Sequence, residues 1–307
     1  MKEAIALVQV DGKWPNLALM KISAYYKNLG TKVYWYLPIF SDLYAISDIY
    51  ASKIFSFTPD NKYIPEQTIR GGTGYDIEKK LPNEIESCFP DYSLYPQNDF
   101  ALGFTTRGCI RNCPFCVVPR KEGMLRVVGD LYSFWRPETG FGKVRLLDNN
   151  LTAAPFEHFE KIVGQLKKHK LLVDFSQGLD ARILTEDHAR LLKEVRLWKQ
   201  IHIAWDGIQD ESFVRRGIEN LKKHISLSKV MCFVLIGFNS MPEEDLYRVE
   251  TLRSLGVDPF VMPFGKKDKY QKAFARWVNH KAIFKSVPWS EYNRKFYRLE
   301  KILEEIR

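Results

Sequence analysis

Three of the chain's five cysteines lie within eight residues of one another, in a segment that follows a predicted strand. The segment reads Thr105-Thr106-Arg107-Gly108-Cys109-Ile110-Arg111-Asn112-Cys113-Pro114-Phe115-Cys116. Its spacing is Cys-x3-Cys-x2-Cys, and thiolates are soft ligands that suit iron–sulfur clusters or zinc. Three thiolates leave one iron of a four-iron cluster without a protein ligand. The segment therefore favours a metal centre with one position open to an outside ligand, which is a reactive arrangement.

Structural zinc and inert burial are the alternatives for these thiols. A structural zinc site takes four ligands, usually two Cys-x2-Cys pairs or one such pair with two histidines. The chain has no second Cys-x2-Cys pair, and none of its six histidines lies in the segment. Cys88 and Cys232 stand alone, and Cys232 lies in an apolar run that is typical of a buried strand.

The cysteine spacing resembles the signature of the radical S-adenosylmethionine (SAM) superfamily, in which an aromatic residue precedes the third cysteine. Here that residue is Phe115, on which the adenine of SAM is expected to pack. The resemblance implies a [4Fe–4S] cluster on Cys109, Cys113 and Cys116, with SAM chelating the open iron. It also implies reductive cleavage of SAM, hydrogen-atom removal by the 5′-deoxyadenosyl radical, and an electron donor of the flavodoxin or ferredoxin type.

The run Thr-Thr-Arg-Gly-Cys at residues 105–109 is similar to the one used by a branch with methylthiotransferases and cobalamin-dependent radical SAM enzymes. The N-terminal region resembles a shortened cobalamin-binding domain. It departs from that pattern because Asp11-Gly12-Lys13-Trp14-Pro15 contains no cobalt-ligating His, so cobalamin is not expected. Methylthiotransferases also carry a C-terminal nucleic-acid-binding β-barrel, whereas this C-terminus is predicted to be helical.

Polar residues follow the second and third predicted barrel strands, at the strand ends where the chemistry of such barrels gathers. The resemblance places Asp148 and Asn150 near SAM, and a turn or helix-entry role is the alternative. Arg182 can pair bidentately with the SAM carboxylate, and an ordinary surface ion pair is the alternative.

Two further candidates follow the fourth and fifth predicted strands. Asp206 can accept hydrogen bonds from the SAM ribose or from a substrate, because Asp210 is the more natural cap of the next helix. Gly237 resembles a glycine that lets the backbone approach adenine closely, and a simple turn glycine is the alternative.

Alternating strands and helices are needed to position these residues. The predicted strands of this region are Phe100–Phe104, Val144–Leu147, Leu171–Phe175, Gln200–Ala204, Lys229–Ile236 and Pro259–Pro263. Apolar strands separated by helices indicate parallel strands covered by helices. The predicted fold is therefore α/β: a partial (β/α)6 radical SAM barrel at 99–264, a small, shortened Rossmann-like α/β domain with a linker at 1–98, and a basic helical segment at 265–307.

The charge and composition limit which kinds of partner the chain can have. The net charge is +9, and residues 265–307 hold 12 Lys and Arg against 5 Asp and Glu. A basic, aromatic segment can bind nucleic acid. The alternative is a helical surface whose lysines are merely solvated. The spacing of Phe274, Trp277 and Val278 would let the segment pack on the barrel, which supports that alternative. No run is long enough to span a membrane and no signal peptide is evident, so no membrane partner and a cytoplasmic location are expected.

These patterns predict an enzyme that cleaves SAM reductively and removes hydrogen from a nucleic acid, nucleotide or peptide. Two other functions remain open on the sequence. One is an iron–sulfur protein of electron transfer or sensing, and the other is a nucleic-acid-binding module with a structural metal.

Overall fold

The computed structural model describes residues 4–38, 46–60, 62–265 and 267–293, and divides into two compact units, Met1–Arg145 and Leu146–Arg307. Both units combine helices with parallel strands, which confirms the α/β class. The predicted domain boundaries near residues 98 and 264 stay predictions. Within the described ranges, no helix has the length and apolar character needed to cross a membrane.

The first unit is built on a parallel sheet in the order β2-β1-β3-β4. Its strands are β1 (Ala4–Gln9), β2 (Lys32–Trp35), β3 (Ile46–Ser52) and β4 (Ile69–Gly71). Ile5 and Leu7 of the central strand are fully buried, as is Ala6 between them, so both faces of β1 are covered. Helix α1 (Leu17–Asn28) joins β1 to β2, and the Asn16 side chain caps it by accepting the Leu19 N–H at 3.2 Å, as predicted.

The strand order reverses between β1 and β3, and sheets of this kind bind ligands at the carboxyl ends of such a pair. Here the Asp11 carboxylate bridges the two strands, accepting the backbone N–H groups of Ile54 (2.7 Å) and Phe55 (2.8 Å). The β-rich run Lys53–Phe57 predicts a further short strand, and this prediction is wrong. Strand β3 ends at Ser52: the Lys53 N–H still donates to the Gly71 carbonyl of β4 at 3.1 Å, but the N–H groups of Ile54 and Phe55 bond to Asp11.

The rest of the first unit consists of short elements. These are α2 (Asn83–Glu86), β5 (Ala101–Gly103), β6 (Thr106–Arg107), α3 (Val118–Lys121) and β7 (Arg126–Val127), with β8 (Lys143–Leu146) at the boundary between the units. Strands β6 and β7 pair antiparallel, Thr106 with Val127 and Arg107 with Arg126. This two-stranded ribbon carries the three clustered cysteines in its connection.

The second unit alternates helices and strands. Its elements are α4 (Phe156–Lys168), β9 (Leu172–Phe175), α5 (Glu186–Glu194), β10 (Arg196–Leu197), β11 (Ile201–Ala204), α6 (Glu211–Lys222), β12 (Val230–Ile236), α7 (Pro242–Leu255), β13 (Asp258–Pro263), α8 (Lys269–Asn279) and α9 (Lys281–Ser286). The six strands predicted for the barrel are all present, each within one residue of its predicted ends.

Parallel pairing joins these strands. Strand β9 pairs with β10, and β12 lies between β11 and β13. A parallel bridge between Leu179 and Ile203 connects the end of β9 to β11. In β12 the residues Val230, Cys232, Val234 and Ile236 are all fully buried, and they alternate with half-buried ones. Closure of six strands into a partial barrel stays a prediction.

Helix ends in this unit follow local signals in part. The sequence predicts that one helix starts at Thr185 and that another ends at Gly256; Thr185 caps α5 and Gly256 ends α7 at φ +81°, which confirms both. The run Ser240-Met241-Pro242-Glu243 has capping-box spacing and predicts that α7 is capped by Ser240, but the box is shifted by one residue, because Glu244 accepts the N–H of Met241 at 2.9 Å. The Ser240 hydroxyl accepts the Gly237 N–H instead, at 3.2 Å.

The basic C-terminal segment begins with helices α8 and α9, as predicted, and its residues 266 and 294–307 lie outside the described ranges. Phe274, Trp277 and Val278 of α8 are buried, and the Asn279 side chain bonds both backbone groups of Val261 in β13, at 2.7 and 3.0 Å. Helix α8 thus packs on the sheet of the second unit through its apolar face.

Candidate functional site

The three clustered cysteines lie in the cysteine loop, residues 108–124, which connects β6 to β7. The Cys109 N–H donates to the Gly123 carbonyl at 3.2 Å and closes the base of the loop. Gly108 adopts φ +81°, and a Cβ there would lie 2.3 Å from the Met124 carbonyl oxygen. A glycine directly before the first cysteine is therefore a steric requirement of this loop.

Arg107 anchors the start of the loop. Its guanidinium donates to Glu86 at 2.7 Å and to Glu122 at 3.0 Å, and it lies over the Phe104 ring. Lys21 makes a second ion pair with Glu86, at 2.7 Å. Burial opposes ionisation of Glu86, but the Arg107 and Lys21 charges outweigh it and hold the pKa of that carboxyl below its usual value.

The thiols of Cys109, Cys113 and Cys116 are each half-buried. The Arg111 N–H points to the Cys109 sulfur at 3.4 Å and the Val118 N–H to the Cys116 sulfur at 3.5 Å. Backbone donors to sulfur are a regular feature of cluster-ligating thiolates, so the chemistry of the donor set fits an iron–sulfur cluster. In the part of the chain that the structure describes, no three His, Cys, Asp or Glu side chains are grouped as metal ligands, and a cluster on these thiols remains a prediction.

In the second unit, two of the candidate SAM-binding residues belong to one hydrogen-bonded group. We call it the strand-end network, and it comprises Asn150, Thr152, Asp180, Arg182 and Asp210. The Asn150 amide reaches Asp180 at 3.4 Å and accepts the Thr152 hydroxyl at 3.1 Å. The Asp180 N–H donates to the same hydroxyl at 2.8 Å.

Arg182 is the cation of the strand-end network. It donates to both carboxylate oxygens of Asp180, at 2.7 and 3.2 Å, and to Asp210 at 3.0 Å. Burial lowers the pKa of the guanidinium, but the bonds to Asp180 and the charge of Asp210 outweigh it and raise that pKa above its usual value. Asp210 is the N-cap residue of α6, as expected, but its carboxylate makes no capping hydrogen bond and turns to Arg182 instead.

Asp206 lies at the carboxyl end of β11, within the field of two arginines. Burial raises the pKa of its carboxyl above the usual value, although the charges of Arg182 and Arg248 act to lower it. Asp148 is buried after the end of β8. The ends of the strands in this unit thus present a largely acidic and amide surface, which suits ligand groups that donate hydrogen bonds.

Gly237 follows β12 with φ +75°, and a Cβ there would lie 2.1 Å from the Gln271 side chain. Gln271 is buried, and its Oε1 accepts the Gly265 N–H at 2.8 Å. The close approach that requires glycine is made here by a side chain of α8. Contact of Gly237 or of the half-buried Phe115 with adenine stays a prediction.

Sequence comparison gives two relatives of the same name. The chain is 25% identical over 211 residues to the tRNA-2-methylthio-N(6)-dimethylallyladenosine synthase of Aquifex aeolicus (strain VF5), a match that covers 59% of this chain and 47% of the relative. It is 23% identical over 223 residues to the synthase of that name from Sulfurihydrogenibium sp. (strain YO3AOP1), covering 63% and 49%. The chain spans about half the length of these relatives. No family model matches it.

Several residues of the strand ends carry no evident sequence signal. Arg248 is fully buried in α7 and donates to the carbonyls of Trp205 (2.9 Å) and Leu235 (3.0 Å), at the ends of β11 and β12. Asp245, also buried, is its ion partner at 2.6 Å. In the sequence both resemble surface charges of an amphipathic helix, and only their burial among strand carbonyls separates them from such charges.

Proposed function

We propose that the chain is a radical SAM enzyme that holds a [4Fe–4S] cluster on Cys109, Cys113 and Cys116. The observation that carries the proposal is the cysteine loop, which gathers three half-buried thiols in one short connection. The similarity to two enzymes named as 2-methylthio-nucleoside synthases supports it, because the Thr105–Cys109 run resembles the branch that includes methylthiotransferases.

The residues of the chain have separable tasks in this proposal. Cys109, Cys113 and Cys116 would hold a [4Fe–4S] cluster, which would supply the one-electron reduction that cleaves SAM and leads to hydrogen-atom removal from the substrate. Arg107, fixed between Glu86 and Glu122, holds the loop that carries the thiols. Phe115 offers an aromatic surface for adenine.

The strand-end network is proposed to orient the polar groups of SAM. Because Arg182 is already bonded to Asp180 and Asp210, it can pair with the SAM carboxylate only by sharing or exchanging one of these partners. The carboxyl group of Asp206 and the amide of Asn150 are suited to the hydroxyl and amino groups of SAM. Together with Asp148 and Gly237, they would line the mouth of a partial barrel.

RNA is the substrate class we propose to test first among nucleic acids, nucleotides and peptides. The name of both relatives refers to a modified nucleoside of tRNA, and the basic segment at 265–307 has the charge to attract a polyanion.

The test is anaerobic reconstitution with iron and sulfide, followed by reduction in the presence of SAM. We expect about four irons per chain, as for a three-thiolate site, and formation of 5′-deoxyadenosine detected by mass spectrometry. Cys113→Ala should lose both the iron and the 5′-deoxyadenosine. Cys88→Ala is the matched control, since Cys88 follows α2, outside the loop, and should retain both.

Two outcomes would favour the other functions. Iron and sulfide without 5′-deoxyadenosine would indicate electron transfer or sensing. Zinc without sulfide would indicate a structural metal and would contradict the proposal, as would a Cys113→Ala variant that keeps its iron.

A further inference from the structure

The first unit contains a concave site whose lining includes no residue of the cysteine loop. We call it the aromatic cleft, a cavity of about 370 Å³. Its walls are the loop after β1, the end of β2 and the segment 94–100, and its principal side chains are Lys13, Trp14, Trp35, Tyr95, Asn98 and Phe100. It lies at the carboxyl ends of parallel strands, where α/β sheets bind ligands, and its volume is that of a small-molecule site.

Exposed aromatic rings form its walls. Trp14 is 57% exposed and Trp35 is 38% exposed, whereas most tryptophans of soluble proteins are largely buried. The Arg145 guanidinium lies 4.6 Å from the Trp14 ring and 4.8 Å from the Phe100 ring, which fixes the position of the indole. Trp35 packs edge-on against Tyr95 with ring centroids 5.5 Å apart.

The Gln9 side chain forms hydrogen bonds to both walls of the cleft. The Nε2 of Gln9, the last residue of β1, lies 3.0–3.1 Å from the carbonyls of Asp11, Gly12 and Trp14 and donates to them. Its Oε1 accepts the Tyr95 hydroxyl at 2.7 Å. The loop that presents Trp14 and the ring that supports Trp35 are therefore held before any ligand arrives, so binding costs little ordering of the protein.

The charges of the cleft favour a neutral ring that carries a phosphate over a cation. A carboxylate beside the aromatic faces would favour a cation, but Asp99 is paired with Lys143 at 2.6 Å. Lys13 adds a positive charge at the rim. The Asn98 Nδ2 donates to the Phe100 carbonyl at 2.5 Å.

We propose that the aromatic cleft binds a nucleobase, stacked on Trp14 and Trp35, with the attached phosphate at Lys13. Stacking on aromatic rings is how proteins hold single nucleotides and unpaired bases. The proposal does not depend on the cluster or on SAM. The base belongs either to a free nucleotide or to single-stranded RNA.

The experiment is calorimetric titration of the full chain with adenosine 5′-monophosphate and with a short oligoadenylate RNA. We expect saturable binding, and an affinity reduced about tenfold or more in Trp14→Ala and in Trp35→Ala because a stacking partner is lost. Gln9→Leu should also weaken binding, since it releases the loop without removing a ring from the cleft.

Trp198→Ala is the matched control, because Trp198 belongs to the second unit, and it should bind as the parent does. Circular dichroism and the melting temperature establish that each variant is folded, and Trp14→Phe, which keeps a ring beside Arg145, should bind more weakly than the parent even if Trp14→Ala is unfolded.

The two ligands separate the sources of the base. Tighter, salt-sensitive binding of the oligonucleotide identifies RNA, and equal affinity for both identifies a free nucleotide. Absence of saturable binding by either ligand, or unchanged affinity in the two Ala variants and Trp14→Phe, overturns the proposal. Formation of 5′-deoxyadenosine is a separate readout, so the failure of one proposal is distinguishable from the failure of the other.

Discussion

At the scale of single residues, Asp206 is a carboxyl group whose surroundings oppose its ionisation. Burial raises its pKa above the value of 3.8 that an unperturbed Asp has, despite the nearby charges of Arg182 and Arg248. Between pH 3.8 and the raised pKa of the folded chain, Asp206 is more often protonated in the folded chain than in the unfolded chain. The free energy of unfolding therefore falls as the pH rises through that window, and the loss persists at neutral pH.

We expect Asp206→Asn to raise the free energy of unfolding at neutral pH, by about 1.4 kcal/mol for each unit by which the pKa is raised. The gain should disappear below pH 3.8, where the carboxyl is protonated in both states. Urea unfolding at neutral and acid pH measures it. Asp187→Asn, which removes an exposed carboxylate of α5, should change stability little at either pH. A loss of stability at neutral pH in Asp206→Asn would contradict this assignment.

The residues of the candidate site differ in how far the sequence could predict them. The cysteine motif is local and carries its own spacing, so Cys109, Cys113 and Cys116 could be singled out from the chain alone. Arg182 could be placed at a strand end, but its bonds to Asp180 and Asp210 could not, because the carboxyl end of β11 meets that of β9 only in the folded sheet.

At the scale of elements, Arg248 joins helix α7 to the ends of β11 and β12. Its guanidinium is fully buried and bonds Trp205 and Leu235 carbonyls as well as the Asp245 carboxylate. Tyr270 of α8 donates to the other Asp245 oxygen at 3.1 Å. The same ion pair thus connects two helices to the edge of the sheet where Asp206 lies.

Arg248→Met should lower the free energy of unfolding by about 3–5 kcal/mol, because it leaves the buried Asp245 carboxylate without its ion partner. The double variant Arg248→Met, Asp245→Leu should be more stable than the single variant, since no unpaired charge remains. Urea unfolding of both gives the comparison. If the double variant is no more stable than the single one, the stabilisation by Arg248 comes from its bonds to the strand carbonyls and not from its pairing with the Asp245 charge.

The ends of helices and strands could be predicted wherever the residues that determine them lie within the same turn or strand. Asn16, Thr185 and Gly256 mark helix ends by their own chemistry, and the structure has each where it was expected. The strand at Lys53–Phe57 could not be excluded in this way. The N–H groups of Ile54 and Phe55 go to Asp11, which is more than 40 residues away in the chain.

At the scale of the whole molecule, positive charge is concentrated near the C-terminus. Residues 265–307 hold 12 Lys and Arg against 5 Asp and Glu, out of a net charge of +9. Helix α8 buries its apolar face, while Lys267, Lys269 and Lys272 are exposed. In residues 267–279, packing and charge therefore occupy separate sides, and these lysines remain accessible to a polyanion.

We expect the chain to bind short RNA at low salt, with an affinity that falls steeply as salt rises. Changing Lys267, Lys269 and Lys272 to Gln should weaken binding and reduce the slope of log K against log salt by about 0.7 for each lost phosphate contact. Fluorescence anisotropy at several salt concentrations measures both.

A variant with the same change in net charge controls for the field of the whole chain. Gln at Lys168, Lys193 and Lys222, which are exposed elsewhere in the second unit, should leave the slope unchanged. Equal effects of the two variants, or no binding at low salt, would exclude the basic segment as a specific contact for RNA.

The Asp11 carboxylate has a consequence for the crevice between β1 and β3. The two backbone N–H groups that it accepts are the donors that such a crevice offers to an anion. Because Asp11 already occupies both donors, an anion that enters here has to compete with a carboxylate of the same chain.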